Sequence, residues 1–591
     1  MRTDLRNLND LFRNTPVMSQ RPSPAIFLFA LVCSSTAVAQ LPPAAPAAPA
    51  VGPEVRLDQL QQQRQQEREK ALRERIAPDV DVLQEQAKVQ VLEIPDDESP
   101  CFALHEIRIT GAQSGDVSWL RDAAGLDLRR KPCIGAKGVE VILARMQHAL
   151  VARGLITSRV MVAPQNLQSG VLEIAFIPGV LREVRFSPDS AGHASVLSAL
   201  PSRRGELLQL RDIEQGLENL KRVPTADADI QIVPAEGPGA MPGESDLLVS
   251  YRKSTPFRLN LAVDDGGTKA TGKLQGSATL SWDNPLLRND LVYLSLGRGL
   301  RNGDRRGTEN LALHYSVPLD YWLLGLTASS NRYHQTVAGA YQEYAYSGES
   351  SQLDAKLSRV IHRNAWSRTT AGVRAFHRAS SNFIDDTEID VQRRSTAGYE
   401  LSLAQRSYLG TALLEGNLAF KRGTGAFGAL RAPEEPWGEG TSRMKLVIVD
   451  LALTRPFTVA GKRLRFSTAW HGQWNRTALT PQDRIGIGGR YTVRGFDGES
   501  SLLAERGRTW RNEIGVPLNA HAEAFFALDT GRISGPSAEY LAGRSLTGAA
   551  MGLRGAGRGF SYEVFLATPV RKPEHFRTSN TNVAFNLAYS F

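Results

Sequence analysis

Cysteine is scarce in this chain, with 3 residues in 591, too few for a disulfide-built scaffold. Long apolar runs are lacking too. A helical membrane protein needs about 20 consecutive apolar residues, and only a short stretch near the N-terminus approaches that pattern. Charge of one sign is not in large excess. Lys+Arg number 70 against 61 Asp+Glu, and the net +9 is small for the length and makes no case for nucleic acid. G-x-x-x-x-G-K-[ST], G-x-S-x-G and H-E-x-x-H are absent, and the 10 His are scattered, so neither ATP use nor hydrolysis is signalled. No cofactor and no metal is expected. What is present is an ordinary 42% hydrophobic content, which excludes a wholly disordered chain.

Ala25–Val32 (AIFLFALV) follows Arg21 and precedes Ala37-Val38-Ala39. A basic flank, a short apolar core and a small-x-small site describe a secretory signal peptide over 1–39. Met18 gives a more usual signal length than Met1. Cleavage would remove Cys33 and leave Cys101 and Cys133, an even count in an oxidising compartment, which reads as a disulfide. Two cysteines with no neighbouring His or Cys cannot complete a zinc site.

Residues 40–53 form a Pro/Ala linker. Residues 54–76 are helix formers without an apolar stripe, either a solvated arm or a helix seated in a wet cavity. Residues 77–100 read as a second linker. From Cys101 the order is β-α-α-β-β: a strand over Phe102–Ile109, a short helix over Val117–Ala124, and a longer one over Lys137–Arg153 with Val139, Ile142, Leu143, Met146 and Leu150 on one face. Strands follow over Ser158–Val162 and Val171–Ile177. The same order repeats over 180–254, with helices at Ala194–Leu200 and Leu210–Arg222. Tandem units of this order, 101–179 and 180–254, resemble POTRA domains, which bind exported polypeptides in the periplasm.

From 255 to 591 helical periodicity gives way to strict alternation. Leu274, Ala278, Leu280 and Trp282 oppose Lys273, Gln275, Ser277 and Thr279. Leu311, Leu313, Tyr315 and Val317 do the same, as do Val583, Phe585, Leu587, Tyr589 and Phe591. This pattern, in a chain with a secretion signal, predicts a transmembrane β-barrel. Its length of about 335 residues exceeds a usual sandwich domain. About 21 residues per strand and connection gives about 16 strands, an even number as bacterial barrels have. Phe591, with Tyr589, ends the chain on an apolar-out strand, as outer-membrane barrels do when read by the barrel-assembly machinery. The Gly- and Pro-rich stretch 421–442 reads as a long surface loop. Arg554–Gly559 reads as a barrel turn rather than a phosphate loop.

Val493-Arg494-Gly495-Phe496 resembles the VRG(Y/F) motif of the barrel-plus-POTRA superfamily. There it tips a loop folded back into the lumen, its arginine paired with an aspartate on an inward-facing strand. Phe525–Asp529 resembles that strand's F-x-G-x-D, with Ala527 in place of glycine, which nominates Arg494 and Asp529 as a lumen lock. Further segments resemble the two-partner secretion transporters, that is, the hemolysin activation/secretion and filamentous-hemagglutinin transporter proteins. These are Ser99–Phe102, Cys133–Gly135, Gly154–Val160, Pro164–Gly170, Asn219–Pro224, Asp264–Gly267 with Thr271-Gly272, and Asp283–Leu286. Asp265 stands where that family more often has Asn.

The resemblance implies a mainly β fold: an outer-membrane barrel of about 16 strands, two periplasmic α+β POTRA domains and an N-terminal helix, 54–76, plugging the lumen. It implies export of a large secreted exoprotein bound through the POTRA domains, without ATP. The alternative is a barrel-assembly insertase, which usually carries more POTRA repeats and no plug helix. The partners expected are that exoprotein, outer-membrane lipid and the barrel-assembly machinery, with no nucleic acid.

Overall fold

A computed structural model describes residues 93–95, 98–111, 117–124, 133–190, 194–300, 305–339 and 341–591. The predicted signal peptide, the 40–53 linker, the 54–76 helix and most of the 77–100 linker lie outside the described residues.

The first unit contains β1 (Phe102–Ala103), β2 (Glu106–Thr110), α1 (Ser118–Ala123), β3 (Cys133–Ile134), α2 (Ala136–Ala152), β4 (Arg159–Met161) and β5 (Val171–Ile177). Its main sheet has the order β2-β5-β4, with β2 parallel to β5. Helix α2 buries Ile142, Met146 and Leu150, one turn apart, against Ile107, Leu172, Ile174 and Phe176. The single strand expected over 102–109 is broken at Leu104-His105. Ala103 leaves the sheet to pair with Cys133 in a separate ribbon, and the His105 N–H donates to the Gly170 carbonyl at 2.8 Å. A disulfide joins Cys101 to Cys133 beside that ribbon, Cα–Cα 5.3 Å.

The second unit repeats the plan with β6 (Val180–Phe186), α3 (Val196–Ala199), α4 (Leu210–Leu220), β7 (Ala226–Pro234) and β8 (Glu244–Lys253), in the sheet order β6-β8-β7. Helix α3 is a single turn, shorter than expected from Ala194–Leu200, because Leu200 is already extended (φ −97°, ψ 123°).

The rest is a closed antiparallel barrel of 16 strands. In chain order it begins with β9 (Phe257–Asp264), β10 (Gln275–Asp283), β11 (Leu291–Gly299), β12 (Arg306–Leu319), β13 (Trp322–Ala338), β14 (Glu343–Arg363) and β15 (Ser367–Ile384). The two-residue β16 (Thr387–Glu388) only extends β15. Then follow β17 (Arg394–Leu409), β18 (Ala412–Thr424), β19 (Lys445–Val459) and β20 (Lys462–Asn475). The wall ends with β23 (Arg506–Asn519), β24 (Ala522–Ser534), β25 (Ser545–Gly557), β26 (Phe560–Arg571) and β27 (Asn582–Ser590), which closes on β9. Between β20 and β23 a long inward loop, 476–505, carries its own two-stranded ribbon, β21 (Ile485–Ile487) with β22 (Leu502–Ala504).

Alternation puts Leu280, Trp282, Leu311, Leu313, Leu353 and Phe526 on the outside of the wall, all exposed. A soluble protein does not present a continuous apolar belt of this extent; lipid must cover it. Short turns gather at one rim: Ala460-Gly461 and Arg558-Gly559 take positive φ at both residues, as two-residue hairpin turns require. The second of these makes 554–559 a barrel turn. Long loops gather at the other rim. The second α+β unit attaches at the short-turn rim, which is the periplasmic side of such barrels.

The 421–442 stretch is a surface loop from Gly425 on, with Phe427, Leu430 and Trp437 exposed. Strand β18 runs on to Thr424, and the loop that follows is partly buried at Ala432 and Ser442 and lies against the base of the 476–505 loop. Phe591 ends at the periplasmic rim, its N–H donating to the Leu259 carbonyl at 2.9 Å. Its ring meets Tyr589 edge-on at 4.6 Å, and both rings face outwards.

Candidate functional site: a loop pinned inside the barrel

The 476–505 loop leaves the outer rim, folds into the lumen and is held at both ends. At its tip Arg494 reaches Asp529 on β24. Nε donates to Oδ2 at 2.7 Å, Nη2 to Oδ1 at 2.9 Å, and the Arg494 backbone N–H adds a third bond to Oδ2 at 3.0 Å. Asp529 is fully buried. Such a two-pronged pair fixes direction as well as distance.

Glu513 of β23 is the partner that motif reading missed. Arg494 Nη1 donates to Glu513 Oε2 at 2.6 Å. The other Glu513 oxygen takes Arg554 and Arg465, which in turn share Glu523. Arg511 stands 3.6 Å from Asp529. The Arg494–Asp529 pair is therefore the head of a charge network that runs down the lumen wall to the periplasmic mouth. Strand parity carried the signal for Glu513: Trp510 and Ile514 face lipid, so Arg511 and Glu513 face inwards.

Gly495 makes the close approach possible. Its φ is +113°, and a Cβ there would lie 2.5 Å from the Thr568 carbonyl oxygen. On the facing wall, a Cβ on Gly548 would lie 1.8 Å from the Arg494 carbonyl oxygen. The tip thus lies directly on bare backbone of β25. Val493 and Phe496 anchor it beside the charges. Both are buried in a cluster with Ile485, Ile487, Leu502, Ile533 and Leu546, and Phe496 meets Phe576 edge-on at 5.6 Å.

The loop's base is tied to a different part of the wall. Asp483 accepts from Arg378 of β15 at 3.1 Å, from Lys421 of β18 at 3.4 Å, and from Thr480 at 3.0 Å. Sequence reading missed this anchor because its three charged groups lie far apart in the chain.

The second α+β unit is itself fixed to the periplasmic rim. Arg363, at the end of β14, donates to Glu218 at 2.7 Å, Gln215 at 3.1 Å and Glu214 at 3.2 Å, all on α4. Asn219 donates to the Asp320 carbonyl at 2.8 Å, and Arg222 to the Ser316 carbonyl at 3.2 Å. Asp283 takes Arg258 and, at 2.6 Å, Thr225. The 219–224 and 283–286 segments quoted above are thus both parts of one docking surface. No group of three or more His, Cys, Asp or Glu among the described residues is placed to hold a metal.

Three comparisons bear on this architecture. The family model for haemolysin secretion/activation protein ShlB/FhaC/HecB matches residues 243–555, more than half of the chain. POTRA models match 102–179, of the ShlB type, and 180–234. Strand β8 lies beyond the second match, yet it is the central strand of that unit's sheet. The outer membrane transporter CdiB-2 of Burkholderia pseudomallei is 38% identical over 80% of each chain. The hemolysin transporter protein ShlB of Serratia marcescens is 23% identical over 70% of this chain and 72% of its own. The solved structure of CdiB from Escherichia coli superposes with a TM-score of 0.82 at 25% identity, covering 92% of this chain and all of that one. The chain belongs to the haemolysin secretion/activation ShlB/FhaC/HecB family: it is an outer-membrane two-partner secretion transporter with periplasmic POTRA domains.

Proposed function

We propose that the POTRA domains receive a large, unfolded exoprotein by strand or groove pairing, and that the barrel passes it outwards. The observation that carries this reading is the fixed seat of the second POTRA domain on the periplasmic rim, through Arg363, Asn219 and Arg222. A polypeptide held by that domain is delivered at the mouth of the lumen. The periplasm offers no ATP, and the chain has no phosphate-binding loop of the G-x-x-x-x-G-K-[ST] type, so folding of the cargo outside supplies the drive. A β-helical hemolysin, adhesin or filamentous-hemagglutinin type of cargo fits the family. The two curated relatives named above are transporters, which favours export over the insertase alternative.

In this reading 1–39 is a cleaved signal, 54–76 plugs the lumen at rest, and Phe591 with Tyr589 is the mark read by the barrel-assembly machinery. Arg494 and Asp529, with Val493, Gly495 and Phe496, are the lock on the loop. Photo-crosslinkers placed in intact cells test the route. At Met161, exposed on the edge strand β4, a crosslinker should trap the exoprotein during export. At Gln62 it should trap the barrel wall when no exoprotein is made, and lose that product during export. Absence of exoprotein adducts at Met161 would remove the POTRA face from recognition. A Gln62 product that export does not change would remove the plug.

A further inference from the structure

We infer that Arg490 and Asp265 form a clasp by which the inward loop holds the barrel's closing seam shut. The seam is the ladder between β9 and β27. It has five residue pairs, from Asn260↔Ser590 to Asp264↔Asn586, whereas β9 pairs with β10 over eight. One step beyond Asp264 the backbone bond has stretched, the Asp265 N–H reaching the Phe585 carbonyl at 3.5 Å. There a side chain takes over. Asp265 Oδ1 accepts the Phe585 N–H at 2.9 Å and, at the same time, Arg490 Nη1 of the loop at 2.8 Å. Arg490 Nη2 donates to the Phe585 carbonyl at 3.3 Å. One guanidinium and one carboxylate thus join the two seam strands where the ladder gives out. The pair is largely withdrawn from water, with side chains 17% and 20% exposed, and the Arg490 head lies 5.6 Å from the Phe565 ring centre.

The loop straddles the seam elsewhere too. On the β9 side, the Lys269 N–H donates to Glu499 at 2.9 Å. On the β27 side, Asn582 donates to the Gly495 carbonyl at 2.9 Å, and Asp497 accepts from the Ser579 N–H and hydroxyl at 3.0 and 2.9 Å. The Arg494 lock, by contrast, grips β23 and β24, which do not border the seam. Two anchors therefore do two jobs: Arg494 fixes the loop in the lumen, and Arg490 passes the loop's position to the seam. When the loop moves, the seam loses the bond that extends its ladder. Arg490 and Asp265 are positioning residues in this sense, and the inference rests on barrel geometry, independent of which cargo is exported.

The test uses the full-length protein in detergent and the temperature at which the folded band converts to the unfolded band on a gel. Arg490→Ala and the milder Asp265→Asn are compared with and without a disulfide across the seam, made by Ala262→Cys with Ala588→Cys, which are register partners. We expect Arg490→Ala to lower the transition by about 5 °C, Asp265→Asn by less, and the seam disulfide to restore both. The disulfide should restore Arg494→Ala only in part, because that variant also loses the buried pairs with Asp529 and Glu513. No fall in either variant would overturn the clasp. A fall that persists with the seam cross-linked, or equal rescue of Arg494→Ala, would also overturn it, since the loop would then act on the barrel as a whole. If Arg490→Ala fails to reach the membrane, Asp265→Asn carries the same comparison.

Discussion

Arg494→Ala is expected to reduce export tenfold or more while the barrel still assembles in the outer membrane. Truncating one partner of a buried ion pair costs about 3–5 kcal/mol, because the other charge stays buried without its counterion. Here Asp529 keeps Arg511 at 3.6 Å and Glu513 keeps Arg554 and Arg465, so the cost lies at the lower end of that range. At about 1.4 kcal/mol per factor of ten, the docked position loses at least a hundredfold in population. The wall itself is spared, because its strands are held by backbone ladders that the side chain does not enter. Arg494→Lys should fail as well: a single ammonium cannot serve two Asp529 oxygens and one Glu513 oxygen in this geometry. Exoprotein in the medium and on the cell surface, measured against barrel in the outer-membrane fraction, checks both. Normal export by both variants would remove the lock from the mechanism.

The second large effect lies at the rim. Arg363→Ala is expected to release the second POTRA domain from the barrel and to make its docking acid-labile. Burial alone would raise the Glu218 carboxyl, but Arg368 and Arg363 outweigh it and hold the group below its ordinary range. A lowered carboxylate stabilises the docked form at pH above its free value, and that stabilisation is lost as pH falls through the lowered value. In the unaltered protein docking should therefore persist from neutrality down past about pH 4.3, the free glutamate value. Without Arg363, burial counts for more and the acid midpoint moves up. Proteolysis at the 254–256 connection between β8 and β9, followed against pH, checks this. Accessibility that is the same in both proteins at every pH would contradict it.

Much of this was legible from the chain because barrels and POTRA domains write their faces into sequence. A period of two with apolar residues out, as in Leu311, Leu313 and Tyr315, fixes both strand and side. The turn at Arg558-Gly559 was readable from glycine alone. The tip of the loop was readable because four adjacent residues and one aspartate carry it. What escaped had no local signature. The base anchor needs Asp483, Arg378 and Lys421 brought together from separate parts of the wall. Glu513 lies between the 493–496 motif and the 525–529 strand, but its role appears only once β23 and β24 are paired. Asp265 stands out in the sequence as a departure from the family. Its carboxylate meets Arg490, a contact that no spacing rule predicts between residues so far apart. The break at Leu104-His105 follows from a ribbon with Cys133 that alternation cannot foresee.

The most direct measurement is secretion of large exoproteins by a host with and without this chain, while the assembly of other outer-membrane barrels is followed in the same cells. A large exoprotein should reach the surface or medium only when this chain is present, with other barrels assembling normally throughout. Continued export without the chain, or a general failure of barrel assembly when it is removed, would contradict it.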